Sequence, residues 1–200
     1  SSYLLKELLD SKINIIFCDD KHNPYSELKP LNGRHNTSKK ILEQIKWKAK
    51  AKDELWQKIV LNKIKNQLKL LKKLEYEGAD LLKDYLTDVK IGDKTNREGH
   101  AAKVYFNALF GKRFSRNRIC DVNAALNYGY SILLSTFNKE VICNGYLTHL
   151  GIHHRNEFNE FNLSCDLMEP FRVIIDNFVY YNSNREFNQQ YKLDLINIFN

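Results

Sequence analysis

Between Ile41 and Leu71 the apolar residues Ile41, Ile45, Ala49, Leu55, Ile59, Ile64, Leu68 and Leu71 recur at spacings near three and four, with lysines on the other faces. That period puts one apolar stripe along an α-helix, whereas a strand would need alternation every second residue. Asn36-Thr37-Ser38 supplies good N-cap residues for its start. The pattern is compatible with one helix or with two. A stripe of this length needs further helices to cover it, so the chain reads as mainly α.

The same stretch dominates the electrostatics. Twelve lysines from Lys39 to Lys73 stand against Glu43, Asp53 and Glu54, a local charge of +9, while the whole chain carries +7. Such an excess is a footprint for a polyanion. By sequence alone, a solvated lysine face kept for solubility explains the run equally well. No run of 18 apolar residues occurs, so a membrane span is not expected. The N-terminus lacks a signal-peptide pattern. Cys18, Cys120, Cys143 and Cys165 lie far apart without a Cys-x-x-Cys pair, and read as reduced thiols rather than zinc ligands or disulfides.

Elsewhere, residues 3–10 read as helix and Ile13-Asn14-Ile15-Ile16-Phe17-Cys18 as a short buried strand. Asn23-Pro24 and Lys29-Pro30-Leu31-Asn32-Gly33 carry turn chemistry, which makes residues 19–36 a linker. A short helix is expected at Asp80–Tyr85. Another runs from Glu98 through Ala101, Ala102, Tyr105, Phe106 and Leu109 to Gly111, followed by a basic loop with Arg113, Arg116 and Arg118. Val122 to Leu134 form a third helix, and Val141 to Leu150 continue helically until Gly151. Residues 152–163 read as loop, and a final helix runs from about Ser164 through Phe178.

Three segments carry groups fit for chemistry. Glu98 sits in a helix first turn, which favours a carboxylate whatever its role. Gly99 beside it is an odd choice unless backbone or ligand approaches closely, and Ala101-Ala102 would let another helix pack near the carboxylate. His153 and His154 follow Gly151 and point in different directions, so at most one belongs to a site. His149 with His153 has the spacing of a helical metal pair, but Gly151 interrupts it. His154 with Glu157 matches neither protease motif, His-Glu-x-x-His nor His-x-x-Glu-His. Asp166 and Glu169 share a helix face with Arg172 among apolar neighbours, so a carboxylate there needs a cation, either a metal or Arg172. Carboxylates and imidazole suit a divalent metal, and a basic chain suits a phosphate backbone. Phosphate loops, nucleophile elbows, dinucleotide fingerprints and zinc-finger spacings are absent from the sequence.

Four stretches in order, Arg97-Glu98-Gly99-His100-Ala101-Ala102-Lys103-Val104-Tyr105-Phe106, Asn123 to Tyr130, Gly151-Ile152-His153-His154 and Asp166-Leu167-Met168-Glu169-Pro170-Phe171-Arg172, resemble the CRISPR-associated integrase family, the larger of the two universal adaptation proteins. The flavour is type II-like, from Gly33-Arg34-His35-Asn36 and the residues 153–159. The resemblance implies a metal site of Glu98, His154 and Glu169 holding Mg²⁺ or Mn²⁺, with Asp166 and Arg172 supporting it. It implies an endonuclease and integrase that joins spacer DNA to the repeat array by attack of a 3′-hydroxyl on a phosphodiester. In that setting Arg34, Lys39, Lys40, Lys46, Lys48, Lys50, Lys52, Arg113, Arg116 and Arg118 would track DNA phosphates. The implied partners are double-stranded DNA, a second copy of the chain, the small second adaptation protein and other type II CRISPR proteins, in a prokaryotic cytoplasm. Family members begin with a β-rich domain, so residues 1–32 read as an αβ remnant of it plus linker and 33–200 as the helical catalytic domain. A non-catalytic helical module for nucleic-acid binding or assembly is the competing reading.

Overall fold

The computed structural model describes residues 1–13, 15–18, 20, 24–28, 30 and 36–199. Helix α1 (Ser2–Asp10) leads into a two-stranded antiparallel sheet of β1 (Ile15–Cys18) and β2 (Pro24–Leu28), with Ile15 opposite Leu28 and Phe17 opposite Ser26. Strand β2 corrects the linker expected over 19–36. Its five residues are too short for the alternation to be read, and Pro24 at its first position suggested a turn. Arg34 and most of the turn expected at 29–33 lie outside the described residues.

The Lys-rich stretch is two helices, α2 (Thr37–Ile45) and α3 (Ala49–Lys73), separated at Lys46–Lys48. The α3 stripe is the axis of one core. Trp56, Ile59, Val60, Ile64, Leu70 and Leu71 are buried there with Leu82 of α4 (Ala79–Asp88) and with Tyr105 and Leu109 of α5 (Arg97–Phe110). Helix α6 (Asp121–Cys143) organises the second core, in which Ala125, Leu126, Tyr130 and Leu133 meet Met168 of α7 (Asn162–Met168). Ile175 and Val179 of α8 (Arg172–Tyr181) and Tyr191 and Leu195 of α9 (Gln189–Ile196) complete it. Close approach is needed at Gly129, where an added Cβ would lie 2.5 Å from Ile175 Cγ2. The fold is mainly α, with the small sheet as an appendage held to α6 by a Ser135 hydroxyl donating to the Glu27 carboxylate.

Two further expectations are corrected. Helix α6 stops at Cys143 instead of continuing to Leu150, because Gly145 adopts φ +82° and turns the chain. The final helix is interrupted: Glu169–Phe171 form a 3-10 turn between α7 and α8, since Pro170 offers no backbone N–H to the preceding turn. Asn66 Nδ2 donates to the Pro170 carbonyl at 2.8 Å, tying that break to α3.

Candidate active site

Three elements converge on one face of α3. The first is the start of α5. Asp93 accepts the backbone N–H groups of Arg97 and Glu98, each at 2.9 Å, and Asn96 accepts that of Gly99 at 3.3 Å. These caps satisfy donors the helix itself leaves open and fix the direction of Glu98. They also explain Gly99, whose Cβ would lie 2.8 Å from Asn96 Oδ1. The close neighbour is the cap. Ala101 is fully buried, and α3 packs against α5 as the small pair allows.

The second element is the 3-10 turn. Glu169, buried, places Oε2 2.6 Å from the Lys63 Nζ and Oε1 2.9 Å from an Arg172 guanidinium nitrogen. Lys63 Nζ also donates to Glu98 Oε1. Both carboxylates therefore meet on one buried ammonium. Burial pushes the Glu169 carboxyl up, but Lys63 and Arg172 outweigh it and hold it below its ordinary value. Burial likewise pushes Lys63 down, and the two carboxylates more than reverse this.

The third element is the loop from Asn144 to Phe161, built by side chains rather than by a backbone ladder. Gln44 donates to the carbonyls of Leu147 and Leu150, at 2.9 and 3.1 Å, and accepts from the Leu147 N–H at 2.9 Å. Lys52 Nζ holds the Gly151 carbonyl at 2.9 Å, and Trp56 stacks on His153 with ring centroids 4.2 Å apart and planes 3° apart. Asp166, fully buried, accepts the N–H groups of Ile152, His153 and His154. It also meets His154 Nδ1 at 2.6 Å, which leaves Nε2 as the atom that could coordinate. The hydrogen bond to Asp166 raises His154 above its ordinary pKa against the effect of burial, with smaller contributions from Glu169 and Glu98. Gly151 leaves no space for a side chain, since a Cβ would lie 2.4 Å from the His154 carbonyl oxygen.

Between α3, the start of α5, the 3-10 turn and α6 lies a cavity of about 240 Å³, lined among others by Lys63, Gln67, Glu98, Arg116, Tyr130 and Glu169. Tyr130 and Tyr105 (the latter at 3.0 Å) donate to buried Asp176, whose pKa burial raises to about 6 against these two bonds. Gln67 Oε1 is buried without a hydrogen-bond donor among the described residues.

Of the expected residues, Glu98 and Glu169 come together, Asp166 anchors His154, and Arg172 braces Glu169. Among the described residues no three His, Cys, Asp or Glu side chains cluster closely enough to hold a metal by themselves. The donor chemistry still fits a hard divalent cation: two carboxylates already share one cationic centre, within electrostatic reach of an imidazole whose Nδ1 is spoken for. Of the expected phosphate contacts, Lys39, Lys46, Lys48, Lys50, Arg113 and Arg118 are exposed. Lys40 instead donates to the Asn144 carbonyl at 2.8 Å, Lys52 holds Gly151, and Arg116 turns inward to the side-chain oxygens of Asn123 and Asn127, both at 2.5 Å. Sequence reasoning missed Lys63, Gln67, Trp56 and the Asp176 network. The available signal was that Lys63 and Gln67 lie four apart, on the same side of α3 as the apolar stripe.

No described helix is long and apolar enough to cross a membrane. The family profile described as "CRISPR associated protein Cas1" matches residues 1–194. A "CRISPR-associated endonuclease Cas1" of Neisseria meningitidis serogroup C is 37% identical over 177 residues, covering 86% of this chain and 57% of the relative. A "CRISPR-associated endonuclease Cas1 1" of Francisella tularensis subsp. novicida is 27% identical over 216 residues, covering 96% and 67%. Among solved structures, a "Casposase bound to integration product" aligns with TM-score 0.77 at 22% identity, covering 100% of this chain and 66% of that one. A CAS1 protein from Thermotoga maritima aligns with TM-score 0.76 at 20% identity, covering 100% and 74%. The chain thus spans a little over half the length of its Neisseria relative. Matched by the profile over nearly its whole length, the chain belongs to the Cas1 family of CRISPR-associated proteins.

Proposed function

We propose that this chain carries the catalytic site of a divalent-metal-dependent DNA integrase and endonuclease that inserts spacer DNA into a CRISPR array. The observation that carries the reading is the convergence of Glu98 and Glu169, from two separate elements, on one buried cation, with an imidazole aimed by Asp166 within their electrostatic reach. The endonuclease name of the Neisseria relative supports it, as does the casposase likeness in fold.

In the reaction, the 3′-hydroxyl oxygen of incoming DNA bonds to a phosphorus at the repeat border. The bond to the target strand's 3′-oxygen breaks, and that oxygen leaves with a proton. Water in place of the hydroxyl gives cleavage. Glu98, Glu169 and His154 through Nε2 would hold Mg²⁺ or Mn²⁺, the imidazole inclining the set toward Mn²⁺. When bound, such an ion polarises the phosphate and lowers the pKa of the attacking hydroxyl. Asp166 fixes the tautomer and direction of His154, and Arg172 keeps Glu169 from turning away. Lys39, Lys46, Lys48, Lys50, Arg113 and Arg118 face solvent, where they would follow the DNA backbone.

The working assembly on this reading is a second copy of the chain with the small second adaptation protein. A solved structure similar in fold, titled "Partial Cas6-RT-Cas1--Cas2 complex", supports the latter (TM-score 0.67, 24% identity). Residues 1–32 would continue a β-rich N-terminal domain, and the protein would work in the prokaryotic cytoplasm. The test is an integration assay on Glu169→Ala and His154→Ala. Loss of transfer with DNA binding retained is expected. Retained transfer with unchanged metal dependence refutes the assignment of these residues, whereas salt-sensitive DNA binding without any transfer by the wild type leaves a non-catalytic binding module.

A further inference from the structure

Lys63 stands apart from the other lysines of its helix. Its side chain is 10% exposed, and its ammonium is shared between Glu98 and Glu169. The Glu169 carboxylate is held by another group as well, and Glu98 is fixed at its backbone. The α5 caps fix the backbone at Glu98, and Arg172 takes the second oxygen of Glu169 at 2.9 Å. Arg172 is itself fixed, its guanidinium lying 4.6 Å from the centre of the Tyr130 ring. Glu169 thus keeps its aim whatever lies between the two carboxylates, while Glu98 is directed there from a fixed backbone. Lys63, by contrast, reaches the point on a flexible four-carbon stem whose end lines the cavity.

We propose that Lys63 is the resident counter-ion of this carboxylate pair, and that a divalent ion enters only by displacing its ammonium. This rests on the reading of Glu98 and Glu169 as metal ligands. Two like charges cannot share a point a few ångströms from the same oxygens, because their repulsion would cancel what the carboxylates supply. Without any cation, two carboxylates at one partly buried site repel each other, so Lys63 keeps the metal-free fold intact. Once displaced, the ammonium remains tethered in the cavity, where a phosphate oxygen of an incoming strand is the partner its charge would meet. Lys63 is therefore a positioning residue that links metal entry to the arrival of nucleic acid. Metal alone binds weakly, and metal with DNA binds tightly.

The experiment is a Mn²⁺ titration of the full chain, followed by the electron paramagnetic resonance signal of free Mn²⁺. It compares the wild type with Lys63→Met and Lys63→Gln, with and without a DNA duplex ending in a 3′-deoxy nucleotide. Both neutral variants are expected to bind Mn²⁺ at least about tenfold more tightly than the wild type without DNA, equivalent to about 1.4 kcal/mol. DNA should tighten the wild type more than either variant. Should Lys63→Met not fold, Lys63→Gln can still hydrogen-bond both carboxylates and carries the comparison. Both variants should also melt lower than the wild type in chelator and recover with Mn²⁺. Equal or weaker Mn²⁺ binding by the variants overturns the role of Lys63 while leaving the metal reading standing. Absence of Mn²⁺ binding by every form, with DNA present, overturns the metal reading beneath it.

Discussion

Asp166 holds His154 at two points, accepting from its backbone N–H at 3.2 Å and meeting its ring Nδ1 at 2.6 Å, with both bonds on the same carboxylate oxygen. Its other oxygen takes the N–H groups of Ile152 and His153, at 2.6 and 2.9 Å. One fully buried side chain thus shapes the loop and aims the imidazole. Asp166→Ala would leave three backbone donors without their acceptor, at a cost of about 2–4 kcal/mol. It would also free the ring. Chemical denaturation should show that loss, with strand transfer falling further than the loss of folded protein explains. Asp166→Asn keeps one acceptor oxygen and should fall between wild type and Asp166→Ala in both measurements.

Asp176 predicts a pH dependence of opposite sign to that of a salt-bridged carboxylate. Burial raises its pKa from 3.8 to about 6, against the hydrogen bonds from Tyr130 and Tyr105. The folded chain holds a proton here that the unfolded chain has already released. This contribution to stability is fully present below 3.8 and is lost as pH rises through about 6. Asp176→Asn removes the dependence. The stability of the wild type relative to this variant should therefore decline between about pH 4 and pH 7, by on the order of 1–3 kcal/mol. A difference that stays constant, or that grows with pH, contradicts the assignment.

The lysines divide by what they touch. Lys39, Lys46, Lys48 and Lys50 are exposed, with Lys39 and Lys50 only 4.0 Å from Glu43 and Glu54, and exposed pairs at that distance contribute little. Replacing the four with Ala should leave stability nearly unchanged. The slope of log binding constant against log salt should shrink by up to roughly 0.9 per lysine that meets a phosphate. Lys52→Ala should instead alter the loop through the lost bond to Gly151, with little change in that slope. Fluorescence anisotropy over a salt series separates the two behaviours.

What the sequence makes legible follows from how local the determinants are. Helices α3 and α5 are readable because periodicity acts within a few residues, although the stripe read along α3 includes Leu55, which is exposed, and omits buried Trp56 and Val60. Glu98, Asp166 and Glu169 stand out as carboxylates beside helix starts or apolar neighbours. Lys63 does not, being one of twelve lysines in its stretch, and its burial arises only when residues 35 and 106 positions away fold against it. Strand β2 is too short to show its alternation. The break at Pro170 was foreseeable from the missing N–H, but the strong apolar run on either side masked it. Helix α9 escaped notice because Asn188-Gln189-Gln190 reads as polar loop, whereas Asn188 caps Tyr191 at 3.1 Å and buried Tyr191 and Leu195 lie four apart.

Whether Glu98, His154 and Glu169 form one metal site is decided by anomalous diffraction from a crystal of this chain soaked in Mn²⁺. One anomalous peak is expected within coordination distance of a carboxylate oxygen of Glu98, a carboxylate oxygen of Glu169 and His154 Nε2, with the Lys63 ammonium moved away. Mn²⁺ bound elsewhere, with Lys63 still between the two carboxylates, would contradict it.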